Sequence, residues 1–133
     1  MKEIKCRISR IRQLSNEVLY IDIDPQQQFS LNDFNELKKA ALQLGEGKSF
    51  YNIINVGENT LPDKAAREMS CSLAGSYYKK ADAFIIHSLA QKIMGNLMIR
   101  IHKPAVPTQF FKSKDAAEKW LNSLRKKEKV VAI

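Results

Sequence analysis

Cysteine is scarce in this chain. There are two among 133 residues, Cys6 and Cys71, far apart in sequence and in no metal-ligand spacing. Histidine is equally sparse, because His87 and His102 lie too far apart for a local metal motif and no third ligand accompanies them. No apolar run approaches the roughly 18 residues that span a bilayer, and Met1-Lys2-Glu3 begins no apolar signal stretch. Repeats, linkers and low-complexity segments are missing too. These absences exclude a disulfide scaffold, a zinc ribbon and a helical membrane span. The expectation is a soluble, cytoplasmic protein with reduced thiols, no metal and no cofactor. At 133 residues the chain makes one domain, long enough to bury roughly two thirds of its unfolded surface without staples.

Acidic charge is short at both ends. The formal net charge is +8, but residues 1–12 carry net +4 and 119–133 net +4, while 13–91 carry net −3. A basic end can hold nucleic acid through phosphate contacts, here through Lys5, Arg7, Arg10, Arg12 and the segment Arg125 to Lys129. Few aromatics accompany these bases, so no stacking platform for single strands is evident. Most such runs are solvated faces, and nucleic acid ranks behind other partners.

Ile4, Cys6 and Ile8 alternate with Lys5, Arg7 and Ser9, which predicts a first edge strand with one basic face. Val18 to Ile23 predicts its antiparallel partner after a polar turn at 13–16. Ser30 and Asp33 have capping-box spacing, with Phe29 and Phe34 as a staple, and predict a helix over 31–44 left through a left-handed Gly45. Phe50 to Val56 predicts a third strand. Thr60 with Asp63, or Pro62 at the first helical position, opens a shorter helix carrying Ala66 and Met69.

The organising unit runs from Ala81 to Phe111. Ala83 to Ile86 reads as a strand covered on both faces, because a half-solvated strand would alternate apolar with polar residues. Ser88 and Gln91 repeat the capping-box spacing, and Leu89, Ile93, Met94, Leu97, Met98 and Ile101 predict one broad apolar helix face. Pro104 stops that helix, Val106 to Phe111 forms the next strand, and the whole is a parallel crossover. Ser113 then caps a last helix with Ala117, Trp120, Leu121 and Leu124 inward, and 125–133 leaves the fold as a basic tail. The fold class is therefore α/β: a mixed sheet of about five strands covered by helices, in the order β-β-α-β-α-β-α-β-α, as one domain over 1–124.

No set of residues makes a coherent catalytic group. Gly47-Lys48-Ser49 lacks the glycine a phosphate loop needs at position 42, where Leu42 stands, and runs from helix into strand rather than strand into helix. His87 and Ser88 are neighbours whose side chains diverge, with no third group to orient the base. Asp22 and Asp24 alternate, so at most one faces a given pocket. In open α/β sheets, ligands favour the crevice beyond the carboxyl ends of parallel strands, which here gathers Gly57, Asn59, Thr60, His87 and Ser88. Met94, Met98 and Ile99 widen the apolar face of the following helix and form a candidate surface for an apolar ligand or partner.

The element order, with Asn52-Ile53-Ile54-Asn55-Val56, the stretch Ser88 to Asn96, and Phe110-Phe111-Lys112-Ser113 leading to Trp120-Leu121, resembles the STAS-like group of bacterial proteins. These are similar in fold to sporulation anti-sigma-factor antagonists and to CRAL-TRIO lipid-binding domains. The likeness covers about Val18 to Leu124. It implies a non-catalytic regulatory module with a protein partner, in which homodimerisation is one arrangement. The CRAL-TRIO side of the resemblance implies, as an alternative, a carrier of a small apolar ligand. In the antagonists a phosphorylatable serine opens the helix after the third strand. Here the only hydroxyl from Gly57 to Asp63 is Thr60 and the Asp-Ser-Ser-Gly run is missing, so a capping threonine is the simpler reading.

Overall fold

The computed structural model describes residues 2–131; Met1 and 132–133, the end of the expected tail, lie outside the described residues. The first predicted strand breaks in two. β1 (Glu3–Lys5) and β2 (Ser9–Gln13) form an antiparallel hairpin, because the Cys6 N–H donates to the Ser9 carbonyl at 2.7 Å and folds the chain back there. β3 (Val18–Ile23) pairs antiparallel with β2. β4 (Gln28–Phe29) leads into α1 (Leu31–Leu44), whose capping box is complete: Ser30 Oγ accepts from the Asp33 N–H, and Asp33 accepts from the Ser30 N–H. Gly45 does not take the left-handed conformation expected of it; Glu46 and Gly47 do, with φ of 51° and 82°. Glycine is needed at 45 for another reason, since the Phe50 ring lies 2.6 Å from where a Cβ would sit.

β5 (Phe50–Val56) pairs parallel with β3. β6 (Leu61–Pro62) pairs parallel with β4 in a ribbon of its own. α2 (Lys64–Cys71) is capped by Asp63, whose carboxylate accepts from the Ala66 N–H at 2.8 Å. Thr60 is therefore not a cap. α3 (Leu73–Ser76) precedes β7 (Lys79–Ile85), which pairs parallel with β5. α4 (Leu89–Leu97) runs into a π-helical turn (Met98–His102), closed by the Lys103 N–H on the Met98 carbonyl at 2.9 Å. Pro104 biases Lys103 away from right-handed helix, and Lys103 sits at φ 50°. β8 (Thr108–Phe111) lies beside β7 in the same direction, with Phe84 opposite Phe110 and Ile85 opposite Phe111. α5 (Lys114–Val131) closes the chain.

The main sheet has six strands in the order β1-β2-β3-β5-β7-β8, where about five are predicted. One face packs on α1, α2 and α4 through Leu19, Ile21, Phe34, Leu37 and Ile54; the other packs on α5 through Tyr51, Ile53, Ala83 and Leu121. Coverage on both faces explains why Ile53-Ile54 in β5 and Ala83 to Ile85 in β7 do not alternate with polar residues. Two further expectations fail. The apolar face predicted over Leu89 to Ile101 is split: Leu89 and Ile93, at 73% and 61% exposure, lie on the side of α4 away from the buried Gln91 and Gly95, and Ile101, at 65%, follows the change of winding at Met98. Segment 125–131 is helical rather than a departing tail: Arg125 donates to Glu17 at 2.6 Å, and Glu128 accepts from the Tyr51 hydroxyl.

Candidate functional site

Beyond the carboxyl ends of β3, β5 and β7, one side chain ties the predicted residues together. Gln91, buried on the first turn of α4, accepts from the His87 N–H at 2.7 Å and donates to the Gly57 carbonyl at 2.8 Å and the Thr60 carbonyl at 3.0 Å. Ser88 caps α4 as predicted, accepting from the Gln91 N–H at 3.2 Å, but Gln91 answers at His87 rather than at the cap itself. Thr60 is 1% exposed. Its hydroxyl donates to the Asp24 carbonyl and accepts from the Gln27 N–H, stitching two loops together where a cap was expected. Gly57 allows the close approach of β5 to the exit of β3, since a Cβ there would meet Asp24 and Pro25 backbone atoms at 2.4 Å. Asn59 stands apart, exposed at the loop tip with φ 64°.

His87 and Ser88 serve different partners. His87 Nε2 lies 2.7 Å from Asn55 Oδ1, and Asn55 Nδ2 donates to Asp22 Oδ1 at 3.0 Å. With the amide nitrogen used by Asp22, the Asn55 oxygen faces the imidazole, which places the ring proton on Nε2. No nucleophile and base are paired here. Among the described residues no three His, Cys, Asp or Glu side chains cluster as metal ligands.

Beneath Gln91, between the sheet and α1, α2 and α4, lies a cavity of about 90 Å³. It is well above the ~10–15 Å³ that one water needs. Its walls are mostly apolar, with Ile21, Ile54, Phe34 and Phe84 from the interior and Met94 and Leu61 at the half-buried rim. Met98 also lines it, whereas Ile99 does not. The predicted methionine surface is thus an inner wall.

The floor is polar. Lys79 Nζ and Asp82 Oδ2 are 2.8 Å apart with both side chains 4% exposed, Asn52 Nδ2 donates to Asp82 Oδ1 at 3.0 Å, and Lys79 also donates to the Ser70 hydroxyl and carbonyl. Residues three apart in a strand normally face opposite ways. A register shift opposite Phe50 and Tyr51 inserts Lys80 as an extra residue, which brings Lys79 and Asp82 to one face. Two cavity-lining residues keep buried atoms without partners: Asn52 Oδ1 and Arg67 Nε. Tyr78 also borders the cavity, and burial pushes its hydroxyl well above the usual phenol range, so it stays protonated.

A family model described as a domain of unknown function (DUF7793) matches residues 12–125. The chain belongs to this family. No curated protein matches it. Among solved structures, an uncharacterized DUF3478-family protein with a SpoIIAA-like fold, from Shewanella loihica PV-4, superposes with a TM-score of 0.58 at 14% identity, covering 84% of this chain and 90% of that one. The STAS-like fold read from the sequence is thereby supported by structure, as is the mixed α/β class. No helix of the described DUF7793 residues is long and apolar enough to cross a membrane.

Sequence reasoning found Gly57, Thr60, His87, Met94 and Met98 near this region but missed Asn52, Arg67, Lys79 and Asp82. Asn52 carried a signal, an amide between Tyr51 and Ile53 in a strand otherwise apolar but for Asn55. Lys79 and Asp82 carried none, because their shared face depends on the bulge.

Proposed function

We propose that this DUF7793 chain is a non-catalytic STAS-like module that binds a small molecule with an apolar body and a polar end in the cavity beneath Gln91. The observation that carries the reading is the pairing of apolar walls with a buried polar floor on the helix-covered face of the mixed sheet, the combination of linings that ligand pockets generally have. Among the described residues His87 and Ser88 serve different partners and no nucleophile, base and orienting group are coupled, which favours retention of the molecule over its conversion. Native mass spectrometry of freshly purified protein is expected to show an adduct of fixed mass that organic extraction removes. Protein found only at its own mass in every preparation, and unmoved by added small amphiphiles, would overturn the reading.

A second reading, the regulatory module with a protein partner, is favoured by Leu89, Ile93 and Ile101 facing outward on the segment that walls the cavity. Leu89 and Ile93, four residues apart on α4, lie on one side of the helix, and exposed apolar side chains grouped in this way mark interaction surfaces. Replacing Leu89 and Ile93 by glutamate should release a co-purifying partner while leaving thermal stability unchanged. Retention of the partner by that variant would refute this surface as the contact. Nucleic acid is the weaker alternative, since Arg7 is engaged with Asp33 and Arg125 with Glu17. A cytoplasmic setting and the homodimer stand as proposals on the same footing.

A further inference from the structure

The two unpartnered atoms in the cavity wall specify what its occupant must bring. Asn52 is 2% exposed and its amide nitrogen is held by Asp82, so Oδ1 is left as an acceptor with no donor. Arg67 comes from α2; its Nη1 donates to the Pro62 carbonyl at 2.9 Å, and its buried Nε has no acceptor. Among the described residues one other buried side-chain atom is unpaired, Arg12 Nε, outside this cavity. A buried polar atom left without a partner destabilises the folded state, and a ligand that supplies the partner recovers that loss. Two among the lining residues, one on β5 and one on α2, call for complementary groups: a donor for Asn52 and an acceptor for Arg67.

Charge narrows the class. Lys79 and Asp82 neutralise each other across 2.8 Å, whereas Arg67 has no carboxylate partner among the described residues, so the lining carries one uncompensated positive charge. Water could donate to Asn52 but would neither neutralise Arg67 nor fill apolar walls. A sugar would leave hydroxyls unpaired against Ile54, Phe84 and Met94. A phosphate dianion would exceed the single free cation. Resting on the cavity reading above, we infer that the ligand is a short-chain hydroxycarboxylic acid, with its carboxylate on Arg67 Nε, its hydroxyl donating to Asn52 Oδ1 and its hydrocarbon tail against the apolar wall. A cavity of ~150 Å³ takes benzene, so this one of about 90 Å³ encloses the carboxylate and hydroxyl end, and the end of the hydrocarbon tail passes the half-buried rim at Met94 and Leu61.

Methionine methyl groups report on the site directly, because Met94 and Met98 line it and Met69 does not. Full-length protein labelled with ¹³C-methyl methionine is titrated with 3-hydroxyhexanoate, hexanoate and 1-hexanol. All three are expected to shift Met94 and Met98 and leave Met69 still, with affinity falling about tenfold at each step from hydroxy acid to acid to alcohol, as loss of one charge-assisted or buried hydrogen bond implies. Arg67→Gln should bring hexanoate down to the affinity of hexanol without changing hexanol itself. Equal binding of all three would overturn the head-group assignment while leaving the cavity reading standing. Equal binding of the two acids would overturn the role of Asn52. No shift at Met94 or Met98 from any of the three would overturn both readings. The order among ligands is read on the unmodified protein, so it stands even where a variant fails to fold.

Discussion

Gln91 bears more of the site's geometry than any other single side chain. It holds three backbone groups from two loops, and the isosteric Gln91→Glu removes both protons that its amide gives to the Gly57 and Thr60 carbonyls. Buried carbonyls left facing a carboxylate should lower stability by about 2–4 kcal/mol, measured as the urea midpoint at pH 7. The deficit should shrink as pH falls, because the introduced carboxyl, once protonated, regains one donor. A midpoint equal to the parent's at pH 7 would show that the bridge is dispensable. The sequence pointed to Gln91 as a capping-box member, since spacing to Ser88 is local. Its partnership with Gly57 and Thr60 spans more than thirty residues and left no pattern to read. Thr60 was misread for the same reason: hydroxyl and position suited a cap, while the loops it joins at Asp24 and Gln27 meet only when β3 and β5 pair.

Among the elements, α1 was the most legible, because its N-terminal cap and apolar stripe are both written within fifteen residues, although Gly45 at its end is not left-handed. The structure adds a tertiary clamp. Asp33 accepts from Arg7 Nε at 2.8 Å and Nη2 at 2.7 Å while completing the capping box, tying the β1–β2 turn to the helix start. The Arg7 guanidinium, aided by Ser30, holds this carboxyl below its usual value. A depressed carboxylate contributes stability that is present above the ordinary range near ~4 and lost as pH falls through the folded value. Asp33→Ala should therefore lower stability by about 1–3 kcal/mol at pH 7 and flatten the acid limb of the stability profile, both followed by urea denaturation from pH 7 to pH 2.5. An unchanged acid limb would place the acid sensitivity elsewhere. The misjudged element is α4. Its apolar positions fit a helical period, but periodicity assumes constant winding and a broad partner, and here α4 sets Gly95 against Phe110 of an edge strand, leaves Leu89 and Ile93 outside, and turns π-helical from Met98.

At the scale of the molecule, both thiols sit in the folded interior, Cys6 under the hairpin turn and Cys71 at the end of α2. Burial raises both above the ordinary thiol value, which keeps them protonated and weakly nucleophilic. Labelling by an aromatic disulfide should be slow in buffer, proceed for both cysteines together, and accelerate in step with global unfolding in urea. Fast labelling of one cysteine in native buffer would reveal a local opening. The sequence by itself determined the class of fold, the order of the main elements without the β1–β2 split, the β4–β6 ribbon or α3, α1 with its N-terminal cap, and the parallel β7–α4–β8 crossover. Each rests on local propensity or on apolar periodicity within a dozen or so residues. Only the tertiary structure decided that the first strand folds into a hairpin, that a bulge turns Lys79 and Asp82 to one face, and that Asn52 and Arg67 leave unpaired atoms in one cavity. Those outcomes follow from pairings between residues distant in the chain, where register, rather than composition, sets which side chains meet.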